Sequence, residues 1–189
     1  MSVSKEEETV TFVESIPHGS IFFDIGANCG AYSLIGGKLG LRVFSFEPHG
    51  PTFQHLVMNI DINTLHGHVK AFSFALSDHD GGVAMKYSSD DPGAALHEMT
   101  HTGVATHDCY RLDSLVTMGL VPAPAYMKID SDGHEGPILA GAEQALKTVI
   151  EIQLEVDDDS PDDVMLIYGL CRAAGLFEKI STRHGATSI

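Results

Sequence analysis

The run Ile21-Phe22-Phe23-Asp24-Ile25-Gly26-Ala27-Asn28-Cys29-Gly30 limits what this chain can fold into more than any other stretch. β-Branched and aromatic residues stop at an acid, turn on glycines and pass directly into a helix-like run, Ala31 to Leu39. That is a strand, a tight loop and a helix start. In an open α/β sheet, ligands lie in the crevice at the carboxyl ends of the strands, and glycine lets backbone come close to them. Asp24 is therefore expected at a strand tip facing that crevice, with Gly26, Asn28 and Gly30 forming the loop beside it.

The spacing narrows the ligand. A dinucleotide site uses Gly-x-Gly-x-x-Gly so that a helix amino end can hold a pyrophosphate. Here the pattern is Asp-x-Gly-x-x-x-Gly, and a carboxylate at the tip suits a cation or a hydroxyl better than a phosphate. About 20 residues on, a second strand, Arg42 to Phe46, ends in Glu47-Pro48, where an acid can accept both hydroxyls of a ribose. A nucleoside that carries positive charge and no phosphate fits both acids, and S-adenosylmethionine is such a molecule.

Five motifs follow one another in order: Asp24 to Gly30, Phe46-Glu47-Pro48, Ala75-Leu76-Ser77-Asp78, Leu112-Asp113-Ser114-Leu115, and Lys128-Ile129-Asp130-Ser131-Asp132-Gly133-His134-Glu135. From about Ile21 to about Val156 the chain resembles the FkbM-type S-adenosylmethionine-dependent methyltransferases. The resemblance implies a Rossmann-like class I methyltransferase fold, with a mostly parallel doubly wound sheet, and methyl transfer, usually to an oxygen. It also implies that Ser77 and Asp78 contact the adenine amino group.

With 189 residues, 43% hydrophobic and 20% charged, the chain is expected to be one globular domain over 1–189. Within it we expect an N-terminal helical segment over 1–19 and an inserted hairpin or lid over 82–108. No apolar run approaches the length that spans a bilayer. The acidic start, Met1 to Glu8, lacks the features of a signal peptide, and three cysteines show no metal-type pairing. A cytoplasmic enzyme is the expectation. The formal charge of −15 and the lack of a Lys/Arg cluster argue against nucleic acid, and the resemblance implies a small hydroxylated molecule as substrate.

Further along, Lys5 to Ile16 suggests a helix on the sheet edge, and Gly40 is the expected stop of the helix that begins at Ala31. Thr52 to Asn63 reads as a helix, and Val69 to Leu76 as a third strand buried on both faces. Val83 to Tyr87 and Gly103 to Asp108 read as strands around an irregular insert, Ser88 to Thr102, suited to a lid over the acceptor. On a helix His97 and His101 would share a face, a minor metal alternative. Leu112 to Met118 reads as a short helix with Asp113 favourable at its start, and Ala125 to Ile129 as the fourth strand. Pro137 to Lys147 reads as a helix, Glu151 to Val156 as the fifth strand with Glu155 at its tip, Val164 to Ala174 as the last helix and Leu176 to Thr182 as a sixth strand. An antiparallel last strand is expected to be short or absent.

The densest chemistry follows the fourth strand, where two readings coexist. Asp132 can N-cap the next helix while Glu135, three residues later, completes a capping box. Alternatively, Asp130 faces the cofactor's methionine end and His134 removes the acceptor's proton, with Asp132 as second candidate base. Mg2+ held by Asp130, Asp132 and an acid from elsewhere is a lesser alternative to a base. Cys29 reads as a small filler whose thiol could make binding oxidation-sensitive. Methyl transfer to nitrogen and a non-catalytic nucleoside-binding module stand as alternatives; an NAD-dependent oxidoreductase lacks the three-glycine turn.

Overall fold

The structure is a computed structural model in which residues 3–87, 97–100, 106–131, 133–154, 161–176 and 187–188 are described. In chain order the elements are α1 (Val3–Ser15), β1 (Ile21–Ile25), α2 (Ala31–Lys38), β2 (Arg42–Phe46), α3 (Gly50–Ile62), β3 (Val69–Phe72), β4 (Ala75–Leu76) and β5 (Gly81–Tyr87). Then come β6 (His97–Thr100), β7 (His107–Tyr110), α4 (Leu112–Thr117), β8 (Tyr126–Ile129), α5 (Glu135–Ala140), a 3-10 turn (Ala145–Thr148), β9 (Glu151–Leu154), α6 (Pro161–Ala173) and β10 (Thr187–Ser188).

Among the described residues the larger sheet runs β10-β9-β8-β1-β2-β3. Its neighbours are parallel except β10, which pairs antiparallel with β9 through two residues. The strand order reverses beside β1, the switch point at which an open α/β sheet places its ligand crevice. A smaller sheet, β4-β7-β5-β6, lies beyond.

Period-two alternation decides which side chains go where. Phe23, Ile25, Phe44, Phe46, Met127 and Ile129 face α4, α5 and α6; Phe22, Val43 and Tyr126 face α1, α2 and α3. Phe22, Phe23 and Phe46 are almost wholly buried, each contributing about 1.5–3 kcal/mol. Phe12 and Val13 join the second cluster, so α1 lies on the sheet's face and not at its edge as expected. Two helical glycines let α2 sit close to the sheet: a Cβ on Gly37 would lie 2.8 Å from Val69, and one on Gly36 3.2 Å from Val43.

The expected third strand is broken. It ends at Phe72, and Ala75–Leu76 pairs with β7 in the smaller sheet instead. An apolar run does not disclose where a chain changes sheets. The break is bridged by rings: Phe46 stacks on Phe72 at 5.1 Å, Phe72 meets Phe74, and Phe74 meets Tyr110 edge-on at 4.8 Å. Nor is β3 buried on both faces. It is an edge strand, with exposed Lys70 holding its ammonium 5.0 Å from the Phe72 ring centre, the kind of charge that keeps an edge from pairing further.

Other boundaries also moved. His97–Thr100, within the expected irregular insert, is a strand antiparallel to β5, so the helical spacing that would join His97 to His101 does not apply. His101, the rest of the insert, Glu155 and the expected strand beyond Leu176 lie outside the described residues. The helix expected over 137–147 is a short α5 and a separate 3-10 turn, capped by Asp113, whose carboxylate accepts the Gln144 and Ala145 N–H groups at 2.9–3.2 Å. Asp113 thus does more than favour its own helix. Asp80 serves α4 in turn, accepting from Arg111 N and Ser114 Oγ.

Four helices end on one device, paired hydrogen bonds closed by a residue at positive φ: Gly40, Gly119 and Gly175 after α2, α4 and α6, and Thr64 after α3. Gly40 is the expected stop. Thr64, β-branched at φ 57°, is strained where the others are relaxed. Thr64→Gly should therefore stabilise by about 1 kcal/mol, raising Tm by roughly 2–4 °C in a thermal melt; an unchanged or lower Tm would show the strain to be relieved elsewhere.

Candidate active site

The carboxyl ends of β1, β2 and β8 meet around the loop 26–30. Gly26 N and Ala27 N both donate to Phe46 O, at 3.1 and 3.0 Å, binding the loop to the end of β2. Gly26 has φ +71°, and a Cβ there would lie 1.9 Å from Asp130 O, so only glycine fits. Asn28 also takes positive φ, and its side chain accepts the Cys29 N–H at 2.8 Å. Asn59 of α3 donates to Cys29 O at 2.8 Å, backing the loop from behind. Gly30, φ +91°, is the N-cap of α2, and a Cβ there would strike Leu56.

Glu47, at the tip of β2, is only 5% exposed. Asn28 N donates to its Oε2 at 3.0 Å and His49 N to its Oε1 at 2.8 Å, which fixes the carboxylate at the loop's edge. Burial pushes its carboxyl up from the usual range, against the pull of those two N–H donors and of Lys128. Each oxygen keeps acceptor capacity for a ligand hydroxyl.

Asp24 differs from expectation. Its side chain is wholly buried and turns inward, toward α2, instead of opening onto the crevice. Ser33 Oγ donates to its Oδ2 at 2.6 Å and contacts Ser45 Oγ at 2.7 Å. Asp24 Oδ1, buried and without a well-aligned hydrogen bond, lies 3.4 Å from Lys128 Nζ, an ion-pair distance. Lys128 Nζ is also 3.4 Å from Asp130 Oδ2, 3.2 Å from Gly26 O, and 5.0 Å from the centre of the Tyr32 ring. Burial would lower this ammonium, but Asp24 and Asp130 more than offset it and hold it above the ordinary lysine range. Sequence reasoning missed this lysine. Its signal was a cation inside an otherwise apolar strand, Tyr126-Met127-Lys128-Ile129, paired in register with Asp24.

Asp130 is the more open acid, its side chain 32% exposed. Asp132 lies outside the described residues. The capping box does not form as expected: His134 is the N-cap of α5 and Glu135 its first residue. Glu135 instead turns back, its Oε1 accepting from Ser131 N at 2.9 Å, Ser131 Oγ at 2.8 Å and Gly133 N at 3.4 Å. The carboxylate pins the loop in front of the helix, and His134 is held within it.

His134 is 5% exposed, and its Nε2 is 3.1 Å from Ser77 Oγ. Ser77 and Asp78 follow β4, so the smaller sheet delivers them. Gly141 fixes the approach, since a Cβ there would lie 1.9 Å from Ser77 O. Cys29 is partly buried; burial, and then Glu47, push its thiol up, which keeps it protonated and disfavours oxidation chemistry.

The sheet order, the glycine loop and the acid at the end of β2 define a Rossmann-like methyltransferase fold, and solved structures agree. The FkbM methyltransferase of Methylobacillus flagellatus KT superposes with a TM-score of 0.64 at 16% identity, covering 93% of this chain and 45% of that one. Precorrin-6y C5,15-methyltransferase from Geobacter metallireducens GS-15 gives 0.59 at 13%, covering 98% and 84%. Residues 24–174 match the Methyltransferase FkbM domain, and the chain belongs to that family. Hexuronic acid methyltransferase AglP of Haloferax volcanii is 33% identical over 158 residues, 80% of this chain. The chain spans 62% of the length of that relative. Among the described residues no helix is long and apolar enough to cross a membrane.

Proposed function

We propose that this chain is an S-adenosylmethionine-dependent methyltransferase that methylates a hydroxyl on a small metabolite, with an acidic sugar as the first acceptor class to test. Glu47 carries the reading: a buried carboxylate at the tip of β2, aimed by two backbone N–H groups beside a loop that only glycine can make. The donor set fits the cofactor. Asp24 and Asp130 pair with the one ammonium, Lys128, and with Glu47 beside the loop the carboxylates outnumber the cation, which favours a cation and ribose hydroxyls over a phosphate. The AglP relative motivates the acidic sugar, and the net charge of −15 supports a small acceptor over nucleic acid.

The cofactor supplies an electrophilic methyl group on a sulfonium whose charge disappears in the reaction. Glu47 accepts the ribose hydroxyls, and the backbone of Gly26, Asn28 and Gly30 lets the nucleoside approach closely. Asp130 offers a partly open carboxylate to the cationic end. Asp24 acts through Lys128 and Ser33, holding β1, β8 and α2 in place, without touching the ligand. A sugar hydroxyl is a poor nucleophile until its proton leaves, and His134 is the base that takes it, with Asp132 as the alternative. Alignment and exclusion of water supply much of the remaining acceleration.

Calorimetric titration with S-adenosylmethionine and S-adenosylhomocysteine, with NAD as control, tests the cofactor. Both sulfur nucleosides should bind and NAD should not. Glu47→Ala should weaken them tenfold or more, from about 1.5–3 kcal/mol per charged hydrogen bond; unchanged affinity would remove Glu47 from the site. S-adenosylhomocysteine release with p-nitrophenyl glucuronide but not the glucoside would support an acidic sugar. Binding without turnover on any hydroxylated pool would favour a non-catalytic module.

A further inference from the structure

The chain crosses β7 on its way from β4 to β5. Cys109 of β7 pairs with Ala75 on one side and with Gly81 on the other, so residues 77–80 arch over the carboxyl end of that strand. Both feet of the arch are tied down. Ser77 N donates to Tyr110 O at 3.0 Å, and Asp80 accepts from Arg111 N at 2.8 Å and Ser114 Oγ at 2.6 Å. Between them the His79 ring is seated against Cys109: its Nε2 lies 3.4 Å from Cys109 Sγ and 3.5 Å from Gly82 O, and the thiol donates to His79 O at 3.6 Å. The other ring nitrogen, Nδ1, is 2.7 Å from Asp78 Oδ1. A carboxylate only accepts, so Nδ1 carries the hydrogen in that contact. Ser77 Oγ donates to the same oxygen at 3.2 Å. Asp78 is held below the usual carboxylate range, first by the His79 hydrogen bond, and stays ionised.

Two donors on one oxygen fix the Asp78 side chain, while Oδ2 keeps acceptor capacity for a ligand N–H. The side chain is 47% exposed, and an acid so open to water gains little stability from being fixed. Ser77 Oγ also lies 3.1 Å from His134 Nε2, which sets the arch beside the loop that leads into α5. We propose that His79 is a positioning residue for cofactor recognition: it locks Asp78 in the orientation that accepts a hydrogen from the exocyclic amino group of adenine, and so sets a preference for adenine over other purines. The proposal rests on the S-adenosylmethionine reading and on the adenine contact that the resemblance implies for Asp78; the role of His79 follows from neither. Hypoxanthine carries a carbonyl oxygen where adenine carries that amino group, so a fixed carboxylate meets an acceptor in place of a donor.

The test is calorimetric titration of the whole chain at neutral pH with S-adenosylhomocysteine and its deaminated analogue, S-inosylhomocysteine. The native protein should prefer the adenine nucleoside by about tenfold, the effect of one lost hydrogen bond and an unmatched acceptor. In Asp78→Ala the two affinities should fall within about twofold of each other, since the group that tells them apart is gone. His79→Ala keeps the carboxylate but frees its torsions, and the preference should drop to about threefold or less. His79→Asn, whose amide can place an N–H where Nδ1 was, should restore most of it. A purely structural role for His79 would lower both affinities alike and leave their ratio unmoved. An unmoved ratio in His79→Ala therefore overturns the positioning role while the cofactor reading stands. Equal native affinities, or a full preference in Asp78→Ala, overturn the adenine contact and the proposal with it. Absence of binding by either nucleoside defeats the methyltransferase reading itself, and this inference falls along with it.

Discussion

Lys128→Met should destabilise the protein by about 3–5 kcal/mol at neutral pH, because it strands two carboxylates, one of them wholly buried, without their shared cation. Adding Asp24→Asn should recover much of the deficit, since a neutral amide can share the Ser33 hydroxyl without a buried charge. Urea denaturation of the single and double variants at neutral pH measures both effects. A single variant within 1 kcal/mol of the native protein, or a double variant worse than the single, would show that the three charges are not the energetic unit described.

The second large effect is at Gly26. Gly26→Ala places a methyl group 1.9 Å from a backbone oxygen, Asp130 O, at a φ that L-residues avoid. Backbone cannot yield as a side chain tip can, so the end of β1 must part from the end of β8. We expect a cost of about 3 kcal/mol or more, combining strain and overpacking. The same movement should withdraw Asn28 N from Glu47 and Gly26 O from Lys128, so S-adenosylhomocysteine affinity should fall with stability. Gly50→Ala is the control: it has open space and an ordinary φ, and should change little. Denaturation with parallel titration separates the two losses; full affinity in a Gly26→Ala protein that is merely less stable would mean that the loop binds nothing.

What could be read from the residues was whatever depends on near neighbours. The strand–loop–helix at Ile21 to Leu39, the stop at Gly40 and the acid ending β2 are local facts, set by alternation, glycine and helix spacing. The polar line Asp24, Ser45 and Lys128 was equally present in the letters, at inner positions of three apolar strands. It became a cluster only through the register that pairs Asp24 with Ser45 and with Lys128, and register across a 100-residue gap is not a local property. The Asp113 and Asp80 caps escaped for a similar reason: each joins segments about 30 residues apart. The capping box failed differently. The pattern was present, but Gly133 at φ +92° turns the chain so that the helix starts later, and Glu135 serves the loop before it.

The change of sheet between Phe72 and Ala75 has a consequence for how such a protein can diversify. Glu47, Asp130, Lys128 and the glycine loop hang from the larger sheet, whereas Ser77 and Asp78 hang from the smaller one, together with the hairpin of β5 and β6. The two parts meet where Ser77 touches His134 and Gly141. Insertions or rewriting beyond β5 therefore leave the larger sheet and its glycine loop untouched, so the smaller sheet can vary there as a replaceable fitting while the proposed nucleoside seat keeps its tolerances.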